Sequence, residues 1–297
     1  MSLRAIYALM TDATSIPFRK MNGLGNDFVV LDARARPIAI GQTQAQTLGD
    51  RKGELGCDQV IVMEPSKTAD VFMRIFNADG SEVSACGNAT RCIALVAAEE
   101  LGRPEVTVET RAGLLKAKVA DADNITIDMG KPRFGWEDIP LAEPFHDTTG
   151  IELQIGPVDE PVLHTPSVVN VGNPHAIFWV DDVDAHDLGR FGPLLENHPI
   201  FPERANISLA QITSRNSLKL RTWERGAGLT RACGTAACAA AICAARKDLT
   251  DRRVNVELPG GTLVIEWALN DHILMSGPAE QEFAGTLAAD TLSRNPA

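Results

Sequence analysis

The sequence predicts an α+β protein built from two homologous halves, and three observations lead to this class. Two segments resemble each other at an offset of 147 residues, close to half of the 297-residue chain. In both segments a short β-branched or aromatic run precedes a polar loop that contains glycine. An Ala-rich run with strong helix propensity follows each loop. We therefore expect two domains related by a pseudo-two-fold axis, each a curved, barrel-like, mostly antiparallel sheet around a central helix, with a cleft between them.

The repeat is clearest around two cysteines. Residues 73–98 read MRIFNADGSEVSACGNATRCIALVAA, and residues 220–245 read LRTWERGAGLTRACGTAACAAAICAA, so Cys86 aligns with Cys233 without a gap. The same offset aligns the Gly-Asn pair of GNDFVVLD with that of GNPHAIFWV. Two separate matches at one offset indicate homologous halves, whereas two copies are too few for a solenoid.

The predicted elements follow the same order in each half. Helices begin just after the two Cys-Gly pairs, where Asn88 or Thr235 can cap them. Short β-branched or alternating runs predict strands at Phe72–Phe76, Val106–Glu109, Leu115–Val119, Ile125–Met129, Leu218–Trp223 and Val254–Leu258.

The interval 131–161 contains five prolines and is expected to connect the halves. We therefore expect an N-terminal domain over residues 1–133 that carries Cys86 and a C-terminal domain over 134–276 that carries Cys233. The tail, 277–297, is expected to return to the first domain.

Composition narrows the function classes. A net charge of −11 argues against a nucleic-acid partner, because phosphate binding needs clustered Lys and Arg. No stretch approaches the roughly 20 apolar residues of a membrane span. The first sixteen residues lack the long apolar region of a secretory signal, and Met10 is an alternative start to Met1. A cytoplasmic location is expected, with no membrane partner.

Six cysteines admit three interpretations: disulfides, a metal site or reactive thiols. Without an export signal, reduced thiols are favoured. Cys233, Cys238 and Cys243 lie five residues apart in a helical run and point in different directions, so no metal site is predicted. Cys57, Cys92, Cys238 and Cys243 are expected to pack in the core.

Cys86 and Cys233, in contrast, are expected to do chemistry. The first turn of a helix presents unpaired N–H groups and a partial positive charge, which lower the pKa of a thiol and bind a carboxylate. Two such thiols on opposite sides of one carboxylate fit proton removal from the neighbouring carbon and reprotonation from the other face. Pyridoxal phosphate is the usual cofactor for such a reaction, and it needs a phosphate-binding loop and a lysine. The sequence shows no phosphate-binding glycine loop, and neither repeat core contains a lysine. No cofactor is therefore expected.

Several stretches together resemble the diaminopimelate epimerase family, from residue 20 to about residue 285. They are Lys20–Asp32, Gly56–Gln59, Arg74–Cys92, Gly172–His175, Asn206–Gln211 and Glu224–Cys238. The resemblance implies a cofactor-independent isomerase that interconverts LL-2,6-diaminopimelate and meso-diaminopimelate in lysine and cell-wall precursor biosynthesis. It also implies a small-molecule amino-acid substrate and a possible homodimer.

The family also implies roles for individual residues. Cys86 and Cys233 would be the acid and base, with His175 and Glu224 beside them. Backbone donors of Gly87, Asn88, Gly234 and Thr235 would hold the reacting carboxylate. The second amino-acid head would be bound by Asn26, Gln59, Asn77, Asn173, Asn206 and Arg225, with Glu224 nearby. Three positions depart from the usual family pattern: Ala89 and Ala236 replace glycines, and Leu229 replaces a glutamate.

Two alternatives remain open on the sequence. A proline racemase or hydroxyproline epimerase of the same fold class would use the same cysteines, but a one-headed substrate does not need the dispersed amides and Arg225. A non-catalytic amino-acid-binding protein would bind such a ligand and leave its α-hydrogen in place.

Overall fold

The computed structural model describes residues 15–53, 55–288 and 291–292; the alternative start at Met10 lies outside them. The chain forms two compact units, one running to Ile127 and resuming at Gly277, the other spanning Asp128–Ser276. Strands dominate both units, so the predicted α+β class with two domains is confirmed. Within the described residues, none of the helices is long and apolar enough to cross a membrane.

In the part of the chain that the structure describes, the first unit contains one mixed sheet and two helices. The elements are β1 (Ser15–Gly23), β2 (Asn26–Asp32), α1 (Gln42–Gly49), β3 (Gln59–Glu64), β4 (Val71–Asn77), β5 (Glu82–Val83), α2 (Gly87–Leu101), β6 (Glu105–Thr110), β7 (Gly113–Val119) and, after the second unit, β19 (Glu280–Ala288); β8 (Ile125–Asp128) ends at the boundary. Antiparallel pairs join β19 to β1 and β1 to β2, and the order continues through β3, β4, β6 and β7. The β2–β3 and β4–β6 pairs are parallel.

The second unit repeats this pattern. Its elements are β9 (Gln154–Ile155), β10 (Leu163–His164), β11 (Ser167–Asn170), β12 (Pro174–Trp179), α3 (Leu188–Glu196), β13 (Asn206–Ser214), β14 (Ser217–Glu224), β15 (Gly228–Thr230), α4 (Gly234–Arg246), β16 (Arg253–Leu258), β17 (Gly261–Trp267) and β18 (Ile273–Gly277). The main sheet runs β11, β12, β13, β14, β16, β17 and β18, and the β12–β13 and β14–β16 pairs are again parallel.

The offset of 147 holds for entire elements. It maps α1 onto α3, α2 onto α4, and β2 to β7 onto β12 to β17, apart from small differences at the ends. It also preserves register, because β2 pairs Phe28 with Gln59 and β12 pairs His175 with Asn206. Equivalent residues can therefore be compared by number in the two units. All six predicted strands are present, each within two residues of its predicted bounds.

The two Ala-rich helices are central to their units. Residues 89–98 of α2 and 236–244 of α4 are buried on every side, as expected for a helix surrounded by the core. Helix α2 contacts strands near both ends of its sheet order, β1 and β7, and α4 likewise contacts β11 and β17. A sheet can reach one helix from both ends only by curving around it. The predicted curved sheet around a helix is therefore present in each unit.

The outer face of each sheet carries a second layer. In the first unit, Ala45 and Leu48 of α1 pack into an apolar cluster with strand residues of β2 and β3. In the second unit, α3 packs into a similar cluster together with Ile139 and Leu153. The proline-containing interval 131–161 thus contributes to the core of the second unit.

Candidate active site

Cys86 and Cys233 are themselves the N-cap residues of α2 and α4. Their backbones are extended, with φ/ψ of −149°/112° and −123°/106°, and their carbonyls accept the first helical hydrogen bonds, at 2.9 and 3.1 Å. The predicted capping by Asn88 or Thr235 is therefore wrong, because both residues lie inside the first helical turn. Each thiol consequently sits where the helix presents its N–H groups.

Asn26 lies beside Cys86. Its Oδ1 is 3.9 Å from Cys86 Sγ, and its Nδ2 donates to Asp58 Oδ2 at 2.7 Å. A carboxylate can only accept, so Asp58 fixes the amide with its oxygen towards the thiol. The Asp27 N–H also donates to Asp58 Oδ2, at 3.1 Å. Asp58 therefore orients the group next to Cys86.

A charged network supports this arrangement. Arg51 donates to both Asp27 and Asp58, each at 2.6 Å, and the buried Lys20 donates to Asp27 at 2.6 Å and to the Gly56 carbonyl. Burial raises the pKa of Asp27, but the hydrogen bonds from Arg51 and Lys20 outweigh it and hold that pKa well below its ordinary value. Asp27 is therefore ionised at neutral pH and ties β2 to the loop before β3.

Gln59 and Asn77 form a second polar pair, where the start of β3 lies opposite the end of β4. Gln59 Nε2 donates to Asn77 Oδ1 at 2.9 Å, and Asn77 Nδ2 donates to Ser81 Oγ at 3.0 Å. Gln59 Oε1 is buried and has no hydrogen-bond partner within the described part of the chain. A buried carbonyl oxygen without a donor is costly, so it is a natural acceptor for a ligand N–H group.

Cys233 lies in a drier and more acidic environment. It is 5% exposed, its Sγ is 3.5 Å from Thr235 Oγ1, and it hydrogen-bonds to Glu224. Burial and then the Glu224 carboxylate raise the pKa of Cys233 well above its usual value, although Thr235 and the Ala236 N–H oppose this shift. The expectation that the helix N-terminus lowers this pKa is wrong, because desolvation and a like charge outweigh the helix.

Glu224 is the carboxylate partner of Cys233. Thr230 Oγ1 donates to Glu224 Oε1 at 2.5 Å. Burial raises the pKa of Glu224, while the hydrogen bonds with Thr230 and Cys233 partly offset that effect. The side chain is therefore held against the thiol and is easier to protonate than an exposed glutamate.

His175 is fully buried on β12. Its Nε2 is 2.8 Å from Asn173 Oδ1 and 3.5 Å from Asn206 Nδ2. Burial, assisted by the charge of Arg225, lowers its pKa to about 3, so the imidazole is neutral at physiological pH. The Asn173 contact favours the tautomer with hydrogen on Nε2. Nδ1 is then an acceptor, and among the described residues it has no partner.

Asn206 connects His175 to Arg225. Its Nδ2 donates to the Pro174 carbonyl at 3.0 Å, and its Oδ1 accepts the Arg225 N–H, also at 3.0 Å. Arg225 Nη1 donates to the Glu203 carbonyl at 2.9 Å. The backbone and guanidinium of Arg225 are therefore both held by neighbours on β13 and the loop before it.

The structure thus assembles the predicted residues into two groups, each within one unit. The Cys86 cluster comprises Asn26, Asp58, Gln59, Asn77 and Cys86, and the Cys233 cluster comprises Asn173, His175, Asn206, Glu224, Arg225, Thr235 and Cys233. Gly87 and Asn88 open α2 and Gly234 opens α4. The other four cysteines are buried as predicted, and all six are thiols.

Comparison with known proteins identifies the family. The diaminopimelate epimerase family model matches residues 18–135 and 167–282. The chain belongs to the diaminopimelate epimerase family. Diaminopimelate epimerases from Rhodopseudomonas palustris (strain BisB18) and Nitrobacter hamburgensis are 57% and 58% identical to it over 279 and 273 residues. These alignments cover 93% and 91% of this chain, and 96% and 94% of the relatives. The chain is therefore an isomerase of this family.

Solved structures share the fold at low identity. A hydroxyproline epimerase from Agrobacterium vitis superposes with a TM-score of 0.62 at 16% identity, covering 95% of this chain and 94% of that one. A phenazine biosynthesis protein of the PhzF family from Enterococcus faecalis gives 0.66 at 14% identity, covering 92% and 99%. These likenesses show that the chain shares its fold with both proteins.

The positions that depart from the epimerase pattern are readily accommodated. Ala89 and Ala236 are fully buried in the first turns of α2 and α4, where alanine is a good helix former. Leu229 is 50% exposed, and its Cδ1 is 3.6 Å from the place where a Cβ on Gly189 would lie.

Three residues that belong to these clusters or bind to them were not singled out from the sequence. Asp58 lies within the Gly56–Gln59 stretch that resembles the family, but the sequence assigned it no role. Its hydrogen bond to Asn26 joins residues 32 positions apart. Thr230 lies within the Glu224–Cys238 stretch, but nothing in the pattern pairs it with Glu224. Glu196 ends α3 and holds the loop after β14, and no motif marks it.

Proposed function

We propose that this epimerase interconverts LL-2,6-diaminopimelate and meso-diaminopimelate by a two-base mechanism in which Cys86 and Cys233 act on one α-carbon. One observation carries the proposal. Two thiols occupy equivalent N-cap positions, 147 residues apart, in a member of the diaminopimelate epimerase family.

In the proposed reaction, the two sulfurs together account for the proton that leaves the α-carbon and the proton that replaces it. One thiolate takes the α-proton, so that the C–H bond breaks, an S–H bond forms and the electron pair stays on carbon. The other thiol then delivers its proton to the opposite face, and its S–H electrons remain on sulfur. Because the pKa of Cys233 is raised, we infer that the resting enzyme carries a proton on Cys233.

Negative charge develops on the substrate carboxylate during the reaction, and hydrogen-bond donors that point at this group would stabilise it. The N–H groups of Gly87 and Asn88 in α2, and of Gly234 and Thr235 in α4, begin their helices beside the two thiols. We propose that they bind the reacting carboxylate and stabilise the carbanion-like transition state in a dry site.

Proton transfer at Cys233 needs partners nearby. Glu224 hydrogen-bonds to this thiol, and the neutral His175 carries an acceptor nitrogen without a partner. We propose that these two groups orient or relay the proton. The raised pKa of Glu224 makes this carboxylate the better proton acceptor of the two, whereas the neutral imidazole can orient a donor through Nδ1.

The second amino-acid head of the substrate needs polar recognition. The unsatisfied Gln59 Oε1 is an acceptor for an ammonium group, and the guanidinium of Arg225 is a partner for a carboxylate. Four amides complete the proposed set: Asn26, Asn77, Asn173 and Asn206. This inventory fits a two-headed substrate better than proline, which has one carboxylate and one amine.

The test is conversion measured with purified protein. LL-diaminopimelate is incubated with the enzyme, a reducing agent and a metal chelator, without added cofactor, and the meso isomer is separated by chiral chromatography. We expect LL-diaminopimelate and meso-diaminopimelate, each used as the starting material, to reach the same equilibrium mixture. We expect no turnover of L-proline or trans-4-hydroxy-L-proline. Activity on the proline compounds alone would favour the racemase alternative, and binding without conversion would favour a binding protein.

Two finer expectations also remain proposals. We propose that the enzyme works in the cytoplasm and that it forms a homodimer. Sedimentation velocity of the purified chain tests the second point, because a single species at the monomer mass would contradict it.

A further inference from the structure

Glu196 is a buried carboxylate outside the groups assigned above. It is the last residue of α3 and is 5% exposed. Glu196 Oε2 accepts from the Trp223 indole at 2.7 Å, and Oε1 accepts from the Gly226 N–H at 2.9 Å and from Arg204 at 3.1 Å. A buried carboxylate is stable only when its oxygens are satisfied, so these donors fix where it lies.

The donors define what Glu196 holds. Trp223 immediately precedes Glu224-Arg225 in the chain, and Gly226 immediately follows it. Glu196 therefore binds both ends of the dipeptide that carries the carboxylate beside Cys233 and the guanidinium of the Cys233 cluster. Gly226 has φ of 76°, as a glycine in a tight turn can, and the Ala227 N–H closes this turn on the Glu224 carbonyl at 3.1 Å. Glu196 adds a contact from outside the turn.

The equivalent place in the first unit is built differently. The offset of 147 aligns Glu196 with Gly49 and Arg225 with Ala78. A Cβ on Gly49 would lie 2.7 Å from Ala78 Cα, so there the helix packs directly against the turn. At this position the second unit, whose turn carries the charged pair, has a carboxylate, and the first unit has a glycine.

We propose that Glu196 is a positioning residue that sets Glu224 against Cys233 and holds Arg225 for the second head of the substrate. The part that concerns Arg225 rests on the proposed function. The part that concerns Cys233 does not, because it can be measured without substrate.

The first experiment compares kinetics of the wild type, Glu196→Ala, Glu196→Gln and the control Arg204→Gln on diaminopimelate. Small displacements of reacting groups cost about 100-fold in rate, so Glu196→Ala should lose about that in kcat/KM. A raised KM would indicate that Arg225 no longer binds the substrate correctly. A lowered kcat would indicate that Glu224 has moved away from Cys233. Arg204→Gln should stay within about threefold, because it keeps both bonds to the turn and removes only the contact of Glu196 with the half-exposed Arg204 guanidinium.

The second experiment measures alkylation of Cys233 by iodoacetamide against pH, read from the mass of its peptide. Releasing the turn moves the Glu224 carboxylate away from the thiol. Glu196→Ala should therefore shift the Cys233 profile to lower pH, while Arg204→Gln should match the wild type. If Glu196→Ala does not fold, Glu196→Gln and Trp223→Phe serve instead, since each removes a hydrogen bond and largely keeps volume.

The outcomes separate the two proposals. A shifted Cys233 profile without turnover of diaminopimelate in the wild type would support the positioning of Glu224 and contradict the proposed function. Normal kinetics and an unshifted profile in folded Glu196→Ala would overturn the assignment of Glu196. Arg204→Gln as damaging as Glu196→Ala would also overturn it, because the bonds to the turn are intact in that variant.

Discussion

Cys233 and Glu224 are a thiol and a carboxylate that share one small, dry environment. A negative charge beside a thiol disfavours the thiolate, and burial disfavours it further, so both effects raise the pKa of Cys233. Glu224→Gln removes the charge but keeps the shape. We expect the pKa of Cys233 to fall while remaining raised by burial, so that alkylation of Cys233 begins at lower pH.

The matched control for this variant is Glu203→Gln. Glu203 contributes only its backbone carbonyl, to Arg225, so its side-chain charge is not part of the Cys233 cluster. Its alkylation profile should follow the wild type. Coincident Cys233 profiles for Glu224→Gln and the wild type would contradict the assigned coupling.

His175 makes the stability of the protein depend on pH. In the folded protein its pKa is lowered from 6.5 to about 3. Between these values the unfolded chain binds a proton that the folded chain does not, so the free energy of unfolding falls as pH falls through that window. One proton corresponds to about 1.4 kcal/mol for each pH unit.

We expect His175→Gln to lose the part of the pH dependence of stability that comes from the imidazole. The variant should be less stable at pH 7, but its free energy of unfolding should depend less steeply on pH between 6.5 and 4. Urea denaturation at several pH values measures both quantities. Equal slopes for variant and wild type would show that His175 is not the buried neutral group described above.

Sequence patterns located some elements far better than others. The two central helices and the six predicted strands were visible because Ala-rich runs and β-branched runs have strong local propensities. The sequence did not predict α1 and α3. The first is the polar run Gln42–Gly49, and the second contains Pro193, so neither has a pattern typical of a helix. Tertiary packing on the outer sheet faces stabilises both.

Helix α3 depends on glycine at one position. A Cβ on Gly192 would lie 2.5 Å from the Trp223 ring, whereas a Cβ on Gly189 in the same helix would meet Asp187 Oδ1 at 3.3 Å. Gly192→Ala must displace either the helix or the indole that Glu196 holds. Overpacking of this kind typically costs about 1–3 kcal/mol.

We therefore expect Gly192→Ala to lower the free energy of unfolding by about that amount and also to reduce activity. Gly189→Ala should change stability by less than about 1 kcal/mol, because the new methyl group needs the Asp187 side chain to move by only a few tenths of an ångström. Equilibrium urea unfolding of the two variants measures the difference. Equal stabilities would contradict the close packing of α3 on Trp223.

Both units share one topology but differ in chemistry at equivalent positions. Asn77 corresponds to Glu224, and Phe28 corresponds to His175. The second unit thus has an ionisable carboxyl group and an imidazole where the first has an amide and a phenyl ring. The repeat could predict the cysteine pair, because that pair is common to both copies. It could not predict Asp58 or Glu196, because their roles depend on bonds between distant segments.

The most direct test of paired thiols is isotope exchange in deuterium oxide. Wild-type enzyme is compared with Cys86→Ala, Cys233→Ala and the buried control Cys243→Ala, each checked for folding by circular dichroism. We expect the wild type and Cys243→Ala to place solvent deuterium on the α-carbon of diaminopimelate while inverting it. Either Cys86→Ala or Cys233→Ala should abolish inversion. Inversion by either of these two variants at a rate near that of the wild type would contradict the mechanism.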